Sequence, residues 1–180
     1  YRICATNDDG DSEYCEASFD GSIESGAARI VGSIAPPSGA PATTVSNAQV
    51  YVVGQQANAV TTNANGQYMM DIDSSIVGSI VANSVDLDAG FQLLAVSQDG
   101  QYGIKQDAIM ALEGQTLQLP PYTVEQTGDI TGTIRRSVGD DSGGIAVYIP
   151  GTSFSAFTDS AGNFTISDVP PGTYNFVRAD

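Results

Sequence analysis

The chain of 180 residues contains no histidine and no tryptophan, one lysine and two cysteines. Without histidine it lacks the His-dependent catalytic triads, His-ligated zinc sites and the commonest general base near neutral pH. No apolar run approaches the length of a membrane span, and no signal peptide is visible. We therefore expect no membrane span. Paired carboxylates could still perform glycoside hydrolysis, but no local feature of the sequence selects such a pair, so we expect a protein that is not an enzyme.

Positive charge is scarce as well. Six Lys and Arg residues face 21 Asp and Glu residues, which gives a net charge of −15. Such a surface repels phosphate, so nucleic acid is not expected as a partner. Two interpretations of the acidic residues stay open: they keep the surface soluble, or some of them cluster around a hard cation such as Ca²⁺.

Strand-forming residues and turn residues are plentiful. Hydrophobic residues make up 41% of the chain, and 20 Gly and 8 Pro supply frequent turns. The length suffices for one large or two small domains, each with a packed core. Val, Ile and Tyr among short turn-bounded segments favour strands over helices, so the sequence predicts an all-β protein.

An internal repeat organises these strands. Residues 50–54 and 62–68 recur as residues 147–151 and 158–164, each pair being a Val-Tyr strand followed by a tight polar turn. The turns are centred on Asn65-Gly66 and Ala161-Gly162, which predicts a hairpin in each repeat.

Each repeat opens with the same pattern, Ile-x-Gly-x-Ile. Side chains alternate in an extended segment, so both isoleucines and the glycine lie on one face. A glycine there suits close packing or a bulge. The residues of the two patterns are Ile30, Gly32 and Ile34, and Ile130, Gly132 and Ile134.

The repeat divides the chain into three parts. Residues 1–27 form an arm, in which Cys4 and Cys15 would close one disulfide if the protein is secreted. Residues 28–126 form the first β unit, with an insertion at 71–90. Residues 127–180 form the second, which has no counterpart of the late strands of the first and thus apparently lacks its last strand or strands.

A β unit without its last strands exposes unpaired edges that invite pairing with another chain. Three explanations stay open. The sequence is a fragment of a longer protein, or the second unit is small and complete, or another copy supplies the strand, with residues 1–27 as the donor. The last arrangement is head-to-tail and does not close, so it grows a filament.

The second repeat resembles the carboxypeptidase regulatory-like domain, a transthyretin-like β-sandwich. The first repeat is similar but looser, with Asn63 where the pattern favours Asp. The resemblance implies two tandem transthyretin-like or immunoglobulin-like β-sandwiches, outside the cell and non-catalytic. It is carried by Ile130, Gly132, Ile134, Val147, Ile149, Gly151, Thr158, Asp159, Gly162, Phe164, Ile166, Val169, Pro170, Pro171, Gly172, Thr173 and Tyr174.

Candidate Ca²⁺ ligands are oxygen-bearing side chains at alternate positions. An exposed polar turn or a charged edge strand explains the same residues without a metal. The candidates are Asn7, Asp9, Asp11 and Glu13 in the arm, and Asp71, Asp73, Asp86 and Asp88 in and beside the insertion.

Four turn residues have a structural interpretation. Asp159 is expected to cap its own turn through backbone hydrogen bonds, and Gly66, Gly162 and Gly172 to shape the turns of the repeats. Aromatic residues on the strands would either stack on sugars or pack in the core. Those residues are Tyr51, Tyr148 and Phe154.

The sequence thus predicts an extracellular or cell-surface structural protein whose signal peptide has been removed. It would be a subunit or segment of a filament, fibre or adhesin that assembles by β-strand addition. Its expected partners are copies of itself or other surface-protein domains. The alternative is a carbohydrate-binding or accessory module of a larger secreted enzyme, with glycans as partners.

Overall fold

The computed structural model describes residues 28–72, 90–111, 114–136, 141–174 and 178–179. Within these ranges the protein is all-β, as predicted, and its helical segments are two short 3-10 helices at Ala42–Val45 and Gln56–Asn58. No helix in the described ranges is long and apolar enough to cross a membrane. The arm with Cys4 and Cys15 and most of the predicted insertion lie outside the described residues.

The strands fall into two groups along the chain, which we call the first half (residues 28–126) and the second half (residues 128–179). The strands of the first half are β1 (Ala28–Ala35), β2 (Gln49–Val52), β3 (Val60–Thr61), β4 (Gln67–Ile72), β5 (Phe91–Val96), β6 (Tyr102–Ile109), β7 (Thr116–Gln118), β8 (Tyr122–Thr123) and β9 (Glu125–Gln126). Those of the second half are β10 (Gly128–Thr133), β11 (Ala146–Tyr148), β12 (Ser155–Phe157), β13 (Asn163–Val169) and β14 (Arg178–Ala179).

The first half contains two sheets. In one, β1 lies between antiparallel β4 and the parallel strands β7 and β8. The other has the strand order β3-β2-β5-β6-β9 and is antiparallel throughout. Period-two side chains from both sheets meet in one apolar cluster, to which β1 contributes Ile30 and β2 contributes Val50.

The second half contains two smaller sheets. β10 pairs with β13, and β11 lies between β12 and β14. Its buried apolar cluster is also smaller. The fully buried members are Val147, Ile149, Ile166 and Val169, and the isoleucines of β10 pack against them while remaining half-buried.

The two predicted hairpins are wrong. The turn at Asn65-Gly66 joins β3, which pairs with β2, to β4, which pairs with β1. The turn at Ala161-Gly162 likewise joins β12 of one sheet to β13 of the other. The tight turns lie where they were predicted. However, the glycine carbonyl of each turn accepts a backbone hydrogen bond from the opening segment of its repeat, at Ile34 or Ile134. The strand after the turn therefore pairs with the opening strand and not with the strand before the turn.

The glycine of each Ile-x-Gly-x-Ile pattern lies under an aromatic ring of the neighbouring strand. A Cβ added at Gly32 would lie 2.5 Å from the Tyr68 hydroxyl, and one added at Gly132 would lie 2.6 Å from the Phe164 ring. The predicted close packing is therefore present in both halves.

Candidate functional site

A buried threonine fixes the same turn in each half. The Thr62 hydroxyl accepts a hydrogen bond from the Ala48 amide at 2.9 Å and donates one to the Val45 carbonyl at 2.5 Å. The Thr158 hydroxyl makes the same pair of bonds, at 2.9 and 2.6 Å, to the loop before β11. Since buried polar groups need partners, these bonds tie the loop before β2 to the end of β3, and the loop before β11 to the end of β12.

The side chain after each threonine caps the turn. Asp159 accepts hydrogen bonds from the backbone and side-chain nitrogens of Asn163 at 2.8 and 3.1 Å. These bonds keep the pKa of Asp159 below its ordinary value. Asn63 takes the equivalent position and accepts from the amides of Asn65 and Gln67. Both side chains are thus engaged by the turn itself.

Glycines complete both turns and attach them to the opening strands. Gly66 and Gly162 have φ of +74° and +86°, a region that favours glycine. Their carbonyls accept hydrogen bonds of 2.9 Å from the amides of Ile34 and Ile134. A Cβ at either glycine would overlap the carbonyl of that same isoleucine, so each turn requires glycine.

The candidate cation ligands are mostly outside the described residues, and the one within them has a partner. Asp71 on β4 pairs with Arg29 on β1 through two hydrogen bonds of 2.7 and 3.1 Å. The guanidinium lowers the pKa of Asp71. The described ranges contain no group of three or more acidic or cysteine side chains placed to hold a metal ion. The candidates outside them are Asn7, Asp9, Asp11, Glu13, Asp73, Asp86 and Asp88.

The two opening strands differ at one edge. The amide of Arg29 on β1 donates to the Gln115 carbonyl at 2.8 Å, and the Leu119 amide donates to the Val31 carbonyl at 2.9 Å. These bonds hold β7 parallel to β1. In the part of the chain that the structure describes, β10 pairs with β13 alone. The backbone groups of Thr131 that correspond to those of Val31 therefore face an open edge.

The covering strands of the first half also bury apolar side chains. Leu119 and Val124 are buried and Leu117 packs against the same cluster. Under this cover, Ile30 and Ile34 are 0% and 3% exposed. Their counterparts Ile130 and Ile134 are half-buried, so among the described residues the open edge has an apolar component as well as unpaired backbone groups.

The side chains along β10 place opposite charges at its two ends. Asp129, near the start, is exposed and accepts a hydrogen bond from the Asp168 amide at 3.3 Å. Arg135 and Arg136 follow the end of the strand and are exposed. These are two of only six basic residues in the chain, so a strand paired here meets negative charge at one end and positive charge at the other.

A second feature is the junction between the halves, where three side chains form a row across β2, β5 and β6. Tyr51, Leu94 and Lys105 are successive cross-strand neighbours. All three are buried, yet Tyr51 and Leu94 lie outside the apolar cluster of the first half. They occupy the opposite face of the sheet, and the second half covers that face.

The covering contacts come from two turns of the second half. A Cβ at Gly103 would lie 2.6 Å from Pro170, and one at Gly172 would lie 2.8 Å from the Lys105 Cβ. The Gly54 amide donates to the Gly151 carbonyl at 2.7 Å. Close approach at three separate points makes this junction a packed contact rather than a flexible link.

Lys105, the only lysine, is at the centre of the junction. Its side chain is 2% exposed and forms an ion pair with Asp107, whose side chain is 48% exposed. The ammonium lies 5.5 Å from the centroid of the Tyr174 ring, a cation–π distance. The Tyr174 hydroxyl donates to the Pro170 carbonyl at 2.8 Å, and burial raises the pKa of Tyr174.

The junction encloses a small cavity. The cavity between the halves has a volume of about 100 Å³ and a mainly apolar lining that includes Val53, Ile149 and Pro150. A few water molecules would fill it. Tyr51 is 1% exposed, so its ring packs between the halves, in line with the core interpretation, and is not accessible for stacking on sugars.

No family model matches the chain, and no curated protein matches it. Among solved structures, the chain is similar to the Bacillus anthracis TIE protein at 11% identity and a TM-score of 0.30. That alignment covers 86% of this chain and 28% of the other. The chain thus spans less than a third of that protein's length, and a likeness at this level carries no argument about fold or function.

Proposed function

We propose that the protein is a non-catalytic extracellular structural protein, a subunit or segment of a cell-surface filament, fibre or adhesin. Its architecture would be two tandem transthyretin-like or immunoglobulin-like sandwiches after a disulfide-closed arm. The threonine hydrogen bonds and glycine turns that recur in both halves support a duplicated unit. The junction around Lys105 supports a role in which the halves act together.

The open edge of β10 carries the proposal. Strand addition at an exposed edge supplies main-chain hydrogen bonds and buries alternate side chains. β4 and β13 both have a free outer edge within the described residues, so that side is alike in the two halves. The edge at β10 is the one that differs, because its counterpart on β1 is covered. Assembly by strand addition from a neighbouring chain would complete it.

An edge-blocking substitution tests the proposal. Thr131→Pro removes a backbone donor on the open side of β10, and proline is tolerated on edge strands. Thr165→Pro is the matched control: Thr165 is the exposed cross-strand partner of Thr131 on β13, and its amide faces the outer edge of that strand. Both variants disturb the same two-stranded sheet.

Electron microscopy and analytical ultracentrifugation over a concentration series provide the measurement. We expect the parent chain and Thr165→Pro to form linear polymers and Thr131→Pro to remain monomeric, with circular dichroism confirming that all three are folded. A parent chain that remains monomeric throughout, or a Thr131→Pro variant that polymerises normally, would refute strand addition at β10.

One observation favours the carbohydrate-binding alternative. An open depression of about 500 Å³ lies beside β1 and β4. Its lining includes the uncharged polar side chains of Ser33, Thr61, Asn63, Gln67 and Gln118, which suit hydrogen bonding to sugar hydroxyls. A glycan array probed with the parent chain and with Gln118→Ala tests the carbohydrate-binding alternative. If the chain is monomeric, binds a glycan and loses that binding in Gln118→Ala, the accessory-module function is favoured.

A further inference from the structure

We propose that the strand completing β10 is residues 2–5 of a second copy of this chain, running parallel to β10 with Arg2 opposite Asp129. This inference rests on the proposed function, because it names the partner at the edge described above. It is carried by the pairing of β1 and by the charges at the ends of β10.

The pairing of β1 sets the direction and length of the donor. β7 runs parallel to β1 and places Thr116, Leu117 and Gln118 opposite Arg29, Ile30 and Val31. It is three residues long, so a short donor suffices. The equivalent donor on β10 must be parallel to it and must present an apolar side chain beside Ile130.

Residues 2–5, Arg-Ile-Cys-Ala, meet this requirement. With Arg2 opposite Asp129, Ile3 lies beside Ile130, as Leu117 lies beside Ile30. Paired residues of neighbouring strands share a face, so Ile3 would cover the half-buried Ile130. Ala5 then falls beside Gly132, where there is little room because Phe164 already covers the glycine.

The charges select the same alignment independently. Arg2 is the only basic residue among residues 1–27, and it falls opposite Asp129. Asp8 and Asp9 lie far enough along the donor segment to fall near Arg135 and Arg136 after the end of β10, so opposite charges meet at both ends of the strand.

Two other arrangements lose this complementarity. Antiparallel pairing with Ile3 beside Ile130 would place Arg2 opposite Thr131 and Cys4 opposite Asp129. Residues 14–19 contain no basic residue, so none of their registers places a positive charge opposite Asp129, and the parallel register with Ala17 beside Ile130 would place Glu16 there. Since opposite charges directly across from each other stabilise a strand pair and like charges destabilise it, the charges favour residues 2–5 in the parallel direction.

A charge-swap cycle in the full chain tests this donor. The variants are Arg2→Glu, Asp129→Arg and the double variant, and the readout is the concentration at half-assembly measured by analytical ultracentrifugation. We expect each single variant to raise that concentration about fivefold, because an attraction is replaced by a repulsion, and the double variant to return within about twofold of the parent.

The matched control is the double variant that combines Arg2→Glu with Glu125→Arg in place of Asp129→Arg. Glu125→Arg makes the same change in net charge at an exposed residue of β9. We expect it to leave the defect of Arg2→Glu in place. Rescue by Glu125→Arg as well would show that overall charge governs assembly and would overturn the assignment of the donor.

The remaining outcomes separate this inference from the proposed function. If Thr131→Pro blocks assembly while the two charge changes act independently, the edge is used by another donor: the inference fails and the proposed function stands. If the chain never assembles, both fail. If it remains monomeric while Arg2→Glu lowers the melting temperature and Asp129→Arg restores it, the arm pairs within its own copy and the second copy is excluded.

Discussion

Replacing Lys105 tests whether packing or charge holds the two halves together. Lys105→Ala removes the side chain that contacts Gly172 and lies beneath the Tyr174 ring. Lys105→Met keeps an unbranched side chain of similar length and removes only the charge. The pair of substitutions therefore separates the aliphatic stem from the ammonium group.

The structure gives the expected magnitudes. The alanine substitution deletes three buried methylene groups, worth about 0.8 kcal/mol each, and leaves a gap between the halves. Asp107 loses its partner at little cost, because its side chain is 48% exposed and water can solvate it. We expect Lys105→Ala to lower the free energy of unfolding by about 2–3 kcal/mol and Lys105→Met to change it by less than about 1 kcal/mol, since an apolar replacement also removes a desolvation cost.

Urea unfolding followed by circular dichroism measures both changes, and hydrogen exchange locates them. For a chain of 180 residues, the alanine variant should melt roughly 5–10 °C lower, with faster exchange in residues 168–174. Equal losses in the alanine and methionine variants would show that the ammonium holds the junction. An unchanged alanine variant would show that the part of the Lys105 side chain beyond Cβ does not stabilise the junction.

Two further predictions concern the repeated turn and the acidic surface. Thr158→Val keeps the shape of the side chain but leaves a buried amide and a buried carbonyl unpaired. It should lower the free energy of unfolding, measured in urea, by about 1–3 kcal/mol. The control Thr165→Val, at an exposed position, should leave that free energy nearly unchanged. Asp71 has a pKa below its ordinary 3.8 because of Arg29, so its contribution to stability is present above that value and is lost as the pH falls through its folded pKa. Asp71→Asn should lower the melting temperature slightly at pH 6, and this difference should shrink as the pH falls below 3.8; a difference that grows with falling pH would contradict this.

Local signals in the sequence predicted the strands well. Val50 and Val147 are the first buried apolar residues of the two Val-Tyr strands, and the glycine of each opening pattern lies under an aromatic ring. The pairing at the turns could not be predicted in the same way. Asn-Gly indicates a tight turn, but whether the flanking strands pair with each other depends on residues far along the chain, such as Ile34 for Gly66.

The sequence predicts that the second repeat lacks counterparts of the late strands of the first, and this stays a prediction; within the described residues β10 pairs with β13 alone. The junction between the halves was not predicted. The role of Lys105 depends on how two separately folded segments pack, which no local pattern encodes. One signal was available: Tyr51 and Leu94 make β2 and β5 apolar on both faces, and a strand with two apolar faces is typical of a sheet covered on both sides.

The junction and the open edge are mechanically connected through β13. This strand pairs with β10 along Gly128–Thr133 and ends at Val169, directly before Pro170, which packs on Gly103 of β6. The direction of the open edge is therefore set relative to the first half as well as to the second. A strand added at β10 would orient its own copy relative to the whole chain, because the contacts around the buried Lys105 pack the second half against the first. Strand addition alone would produce a flexible string of paired units, whereas strand addition combined with this junction would produce a fibre with a defined angle between successive copies.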